Sequence, residues 1–168
     1  MIRLSLIIPC KDKDDPKLKE LLASIEAQDF PKAEMEVIVV TEGTSESARA
    51  IGIRQAKGEV IGILASDNEL THSQFIKNHY VQAKKFACSY PSTYACVKGD
   101  NVLNRYFALI GGNDPLAFYM NKNDRVPYYG RGAGFKASDV TIGDNGFFIR
   151  KELIENTDLD NYYHIDNA

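Results

Sequence analysis

Gly58-Glu59-Val60-Ile61-Gly62-Ile63-Leu64-Ala65-Ser66-Asp67-Asn68 runs an apolar strand directly into a turn of small residues that carries one carboxylate. In an open α/β sheet, ligands bind outside the carboxyl ends of the strands. Asp67 therefore stands where a hard cation and a diphosphate could meet. Asp and Asn are also ordinary turn residues, so the meaning of this stretch depends on what precedes it.

Two similar units precede it. Leu4-Ser5-Leu6-Ile7-Ile8 is a continuous apolar run closed by Pro9, as expected for a strand buried on both faces of a parallel sheet. A mixed-charge loop follows, in which Lys11, Lys13 and Lys17 alternate with Asp12, Asp14 and Asp15. Such a loop suits a solvated surface, but this one follows a strand end. Pro16 opens a helix, since its missing N–H is not needed there, and Leu18, Leu21, Leu22 and Ile25 recur at helical spacing. Met35-Glu36-Val37-Ile38-Val39-Val40 reads as a second buried strand. Thr41-Glu42-Gly43-Thr44-Ser45 is then a turn whose hydroxyls can cap a helix running to about Ala56, which Lys57-Gly58 ends. The order β-α-β-α-β with short connections predicts a right-handed doubly wound sheet.

Downstream, the spacing of Phe75, Ile76, Tyr80, Val81 and Ala83 predicts a helix over 71–86, and Tyr94-Ala95-Cys96-Val97 a short strand. Val102, Leu103, Tyr106, Phe107 and Ile110 have a helical period that Gly111-Gly112 breaks. Residues 113–138, with Pro115, Pro127 and the aromatics Phe118, Tyr119, Tyr128 and Tyr129, suit a shaped loop or pocket wall. Gly143-Asp144-Asn145-Gly146 reads as a tight turn, Phe147-Phe148-Ile149 as a short apolar segment and 150–156 as a short helix. The chain stops at Tyr162-Tyr163-His164-Ile165-Asp166-Asn167-Ala168 without a cap or polar tail, which reads as a truncated domain.

A chain of 168 residues is long enough to bury a core as one domain without staples. The net charge of −3 and the scatter of Lys and Arg argue against nucleic acid as principal partner. With 44% apolar residues, no run long enough to span a membrane and no signal-peptide pattern at Met1-Ile2-Arg3-Leu4-Ser5, the expected setting is cytoplasmic. Cys10, Cys88 and Cys96 are odd in number and lack zinc-site spacing, so free thiols are expected.

Three strand ends thus carry polar residues: Pro9-Cys10-Lys11-Asp12, Thr41-Glu42-Gly43-Thr44 and Ala65-Ser66-Asp67-Asn68. Arg49 and Gly52, followed by Ala56-Lys57-Gly58-Glu59, add an Arg-x-x-Gly and Ala-Lys-Gly-Glu pattern. Together these resemble the donor half of a family-2 glycosyltransferase of the GT-A fold. The segments 142–150 and 162–166 are similar to the acceptor-side part of some such enzymes. The resemblance implies an α/β, GT-A-like (Rossmann-like) open mixed sheet with helices on both faces. One domain would span 1–168, with a nucleotide-sugar donor half at 1–98 and a partial acceptor half at 99–168.

The same resemblance implies an inverting transfer of a sugar from a UDP- or GDP-linked donor to a saccharide or lipid-linked acceptor. The enzyme would then be cytoplasmic or peripheral at a membrane, and a homodimer is among the assemblies it allows. Pro9, Cys10, Lys11, Glu42, Arg49, Ser66, Asp67 and Asn68 would bind the donor, with Glu42 accepting a base N–H and Arg49 near the phosphates. Asp67 would hold Mg²⁺ or Mn²⁺, which neutralises charge on the departing diphosphate. The sequence departs from the family pattern at Ala65, which replaces the first acid of the metal-binding element, at Glu42, where Asp is usual, and at Lys11, where an aromatic is common.

A general base must take the acceptor's proton, and similarity favours Asp166 over Asp144; Asp144 and Asn145 could instead touch the acceptor. His164 could help bind substrate or metal, but a lone His near a chain end is more often a surface or packing residue, and Arg150 reads as a surface charge at a helix start. The alternative function is a non-catalytic or truncated nucleotide-binding module on the same scaffold. A nucleotidyltransferase would want a Gly-rich loop after the first strand, and Cys10-Lys11-Asp12-Lys13 has no glycine.

Overall fold

The computed structural model describes residues 1–91, 101–103, 105–106, 119–120, 125–129, 133–137 and 146–155. They fall into two compact units, one drawn from Met1–Tyr90 with Asp144–Ala168 and the other from Pro91–Gly143.

The first unit is built on β1 (Leu4–Pro9), α1 (Pro16–Glu26), β2 (Met35–Val40), α2 (Ser45–Gln55), β3 (Val60–Ile63), α3 (Phe75–Phe86) and β4 (Cys88–Ser89). In the second unit, β5 (Arg125–Tyr129) and β6 (Ala133–Ala137) pair antiparallel as a two-stranded sheet. β7 (Phe147–Arg150) belongs to the first unit again, and the order in its sheet is β2-β1-β3-β7-β4. β1 pairs parallel with both β2 and β3, whereas β7 runs antiparallel to β3 and β4, so the sheet is open and mixed.

Period-two alternation along β1 supplies two cores. Leu4, Leu6 and Ile8 face Leu18, Leu21 and Ile25 of α1 and Ile76, Tyr80 and Ala83 of α3, with Phe148 of β7 in the same cluster. Ile7 faces the opposite side and joins Ile61 and Ile63 to Ala50 and Ile53 of α2. Helices therefore cover both faces, which is why the β1 sequence is apolar throughout rather than alternating. Each fully buried aliphatic side chain here contributes about 1.5–3 kcal/mol relative to exposure.

Several local expectations change. β2 is the edge of the sheet among the described residues, and only its Val40 is buried. An apolar run reads as central, yet here it needs only partial cover. α3 starts at Phe75 rather than Thr71. The amide of Ile76, in the first turn of α3, donates to Gln28 Oε1 at 3.1 Å, so a distant residue caps the helix. Cys88–Ser89 forms a strand that local pattern does not signal. The segment expected as a helix over 150–156 begins instead with Arg150 in β7 and a single 3-10 turn at Lys151–Leu153. β5 and β6 lie within the stretch read as irregular. Val102, Leu103, Arg105 and Tyr106 are helical, as the period implied; the expected strand at 94–97 lies outside the described residues. Among the described residues no helix is long and apolar enough to cross a membrane.

Candidate functional site

The order β2-β1-β3 places the chain reversal at β1: one crossover leads outward to β2, and the next returns past β1 to β3. Carboxyl ends at such a switch point leave a crevice. It is present as a cleft of about 400 Å³ lined by the ends of all three strands and the first turns of α1 and α2.

Each wall is fixed by local bonding. At the end of β1 the Cys10 amide donates to the Val40 carbonyl at 2.9 Å, and the Cys10 thiol donates to the Asp12 carbonyl at 2.9 Å. The Asp12 carboxylate accepts from the Asp14 amide at 2.9 Å, closing the charged loop on itself. Asp15 then caps α1 by accepting from the Lys17 amide at 2.9 Å, with Pro16 as first helical residue. At the end of β2, Gly43 adopts φ 78°, a left-handed conformation natural to glycine, and turns the chain into Thr44. Thr44 and Ser47 form a reciprocal capping box at the start of α2. Glu46, in the first turn, is held below the usual carboxylate range by its own backbone amide and the Thr44 hydroxyl, in keeping with the positive potential of a helix start.

β3 delivers the third wall. The Leu64 amide donates to the Ile7 carbonyl and the Gly146 amide to the Ile63 carbonyl, each at 3.0 Å. Beyond the turn, the Leu70 amide donates to Ser24 Oγ at 3.2 Å, and Gln28 Nε2 donates to the His72 carbonyl at 3.0 Å. The Asp67 turn is thus tied at one end to the sheet and at the other to the end of α1.

Of the residues expected at a donor site, Pro9, Cys10, Lys11, Glu42, Arg49, Ser66 and Asp67 all line this cleft. Arg49 is only 7% exposed, whereas Glu42 and Asp67 are open to solvent. Asn68 is not in the lining; its carboxamide closes the Asp67 turn on Ala65. Arg150 pairs with Val60 in the sheet register, at the end of β3 away from the cleft, and forms an ion pair with Glu152 at 3.2 Å. Asp144, Asn145, His164 and Asp166 lie outside the described residues. Asp15, Lys17, Thr41, Thr44 and Ser45 also line the cleft and were not anticipated. The signal for the first two was available, because Pro16 fixes the start of α1 immediately after the β1 loop.

The lining carries three cations, Lys11, Lys17 and Arg49, against three carboxylates, Asp15, Glu42 and Asp67. Among the described residues no three His, Cys, Asp or Glu side chains converge to hold a metal by themselves. A single carboxylate at Asp67 nevertheless suits Mg²⁺ or Mn²⁺, which complete their shell with phosphate oxygens and water.

No family model and no curated protein matches the sequence. Among solved structures the chain is similar to TarS 1–349 of S. aureus, with a TM-score of 0.55 and 16% identity over 92% of this chain and 49% of that one. It is also similar to the complex of TarS 1–349 with UDP, with a TM-score of 0.56 and 17% identity over 92% and 48%. The chain has an α/β, GT-A-like fold. It spans about half the length of these structures, and at this identity the likeness is one of fold.

Proposed function

We propose that the chain carries the donor site of a metal-dependent, inverting glycosyltransferase that uses a nucleotide-diphosphate sugar. The observation that carries the reading is the convergence of Asp67, Glu42, Arg49 and Lys11 on one cleft at the switch point. The volume, about 400 Å³, lies in the range of small-ligand sites. Support comes also from the shared fold with TarS, which was crystallised with UDP.

In this reading Glu42 accepts an N–H of the base, which suits uracil or guanine, and Arg49 makes forked contacts with phosphate oxygens. The lining balances three charges against three, so a diphosphate brings negative charge that side chains alone leave uncompensated. Mg²⁺ or Mn²⁺ on Asp67 supplies that compensation when bound. Asp166, or Asp144 in its place, accepts the proton of an acceptor hydroxyl, belonging to a saccharide or a lipid-linked sugar. The hydroxyl oxygen forms a bond to the anomeric carbon as the bond to the diphosphate oxygen breaks on the opposite face, so configuration inverts. The nucleoside diphosphate leaves with the electron pair.

Ala65 favours a second reading, a nucleotide-binding module without turnover, because it leaves the β3 end with one acid. Calorimetric titration of UDP and GDP into the wild type and Asp67→Ala, with Mn²⁺ or with EDTA, tests the donor site. The expected result is that Mn²⁺ strengthens binding and that Asp67→Ala abolishes this strengthening. Binding of neither nucleotide by the folded protein refutes the donor-site assignment, and binding without consumption of any nucleotide sugar favours the second reading.

A further inference from the structure

Lys17 lines the cleft but meets no local structural need. It stands in the first turn of α1, where aligned peptide dipoles disfavour a cation. Its neighbours are engaged: the Asp15 carboxylate accepts from the Lys17 backbone amide at 2.9 Å, and Lys19 pairs with Asp14 at 3.8 Å. The Lys17 ammonium has no ion-pair or hydrogen-bond partner among the described residues, and Lys11, across the charged loop, has none either. Lys11 and Lys17, neither held in a direct ion pair, thus line a cleft that also holds the buried Arg49. A cation kept in an unfavourable position on the lining of a cavity, without a direct ion pair, is suited to an anion brought by a ligand.

We infer that Lys17 anchors the diphosphate of the donor, an assignment that rests on the nucleotide site proposed above. Its ammonium donates to phosphate oxygens and supplies part of the charge compensation from the protein itself. Nucleoside diphosphate binding therefore keeps a component that does not depend on metal.

The test is calorimetric titration of UDP and GDP into the full chain, as wild type, Lys17→Met and Lys17→Arg, in EDTA and in Mn²⁺, at low and high salt. Lys17→Met keeps the apolar stem at an exposed position, so the fold is retained. Losing one charge-assisted contact is expected to weaken binding about tenfold at low salt. The deficit should shrink as salt screens the pair, and Lys17→Arg should restore most of the affinity. Equal affinity of wild type and Lys17→Met overturns the inference while leaving the donor site standing. A salt-independent deficit that Lys17→Arg does not rescue overturns it too, since that marks a structural role. Failure of the wild type to bind either nucleotide removes both readings.

Discussion

Asn68 and Ala65 hold Asp67 between them: the Asn68 carboxamide oxygen accepts from the Ala65 amide at 3.2 Å, and the Asn68 amide returns a bond to the Ala65 carbonyl at 3.1 Å. The one carboxylate at the end of β3 is thus presented by a closed turn. Asn68→Ala removes the side-chain half of that closure, at a cost of about 1 kcal/mol in stability. Metal-dependent UDP binding should fall further than this loss accounts for, because Asp67 is no longer fixed. Asn68→Asp keeps the acceptor and should retain binding. Urea denaturation beside titration checks both, and unchanged binding in Asn68→Ala would show that the turn holds without it.

Gln28, only 6% exposed, spends its whole side chain on other elements. Its Nε2 donates to the Ser24 and His72 carbonyls at 3.2 and 3.0 Å, and its Oε1 accepts from the Ile76 amide at 3.1 Å. Gln28→Leu leaves those backbone groups without it, and a loss of about 2–3 kcal/mol is expected in equilibrium unfolding. A loss below about 0.5 kcal/mol would mean that α3 begins independently of Gln28.

His79 stacks on Phe148 at 5.1 Å, packs on Phe75 at 4.4 Å and shares a hydrogen bond with Ser89 Oγ at 2.8 Å. Burial, with His72 nearby, lowers its pKa from 6.5 to about 4. Between those values the unfolded chain binds the proton and the folded chain does not, so stability falls as pH drops from about 6.5 to 4. The full effect is about 3 kcal/mol. Carboxylates add their own acid dependence, so the readout is the difference between wild type and His79→Phe across this window. Parallel curves for the two proteins would contradict the burial of a neutral imidazole.

Gly58 lies against the β1 backbone. A Cβ there would stand 2.6 Å from the Ser5 amide nitrogen and 2.7 Å from the Leu4 carbonyl carbon, and neither can give way. The Gly58 amide also donates to Ser5 Oγ at 2.8 Å, and Ser5 Oγ donates to Glu36 at 2.6 Å. Gly58→Ala should cost about 2–3 kcal/mol through overpacking. Ser5→Ala should cost about 1–3 kcal/mol by stranding the buried amide. Thermal or urea unfolding of the two variants is the check, and a neutral Gly58→Ala would show that the strands separate easily.

The parts of the fold visible in the sequence are those whose pattern is local. Leu4 to Pro9, Met35 to Val40 and Val60 to Ile63 are strands, and Pro16 and Thr44 start the intervening helices, because periodicity and capping act within a few residues. The place of β2 at an edge was not visible, since an apolar run reads the same with one neighbour or two. Nor was β7, whose Phe148 pairs with Gly62 across a long stretch of chain. Of the site, the three polar strand ends were legible. The closure of the Asp67 turn by Asn68 was not, and the arrival of Asp15 and Lys17 in the cleft was signalled only by the place of Pro16 after the β1 loop.

What the sequence alone determined is therefore the succession of strands and helices and which strand ends carry charge, both set by short-range sterics, capping and hydrophobic period. Only the tertiary structure decided that β1 lies between β2 and β3, so that the three polar ends meet in one cleft. It also decided that a Gln just beyond α1 caps α3 and that an antiparallel strand seals Phe148 into the core. Those outcomes depend on which distant surfaces bury one another, a global free-energy minimum that no local window of sequence contains.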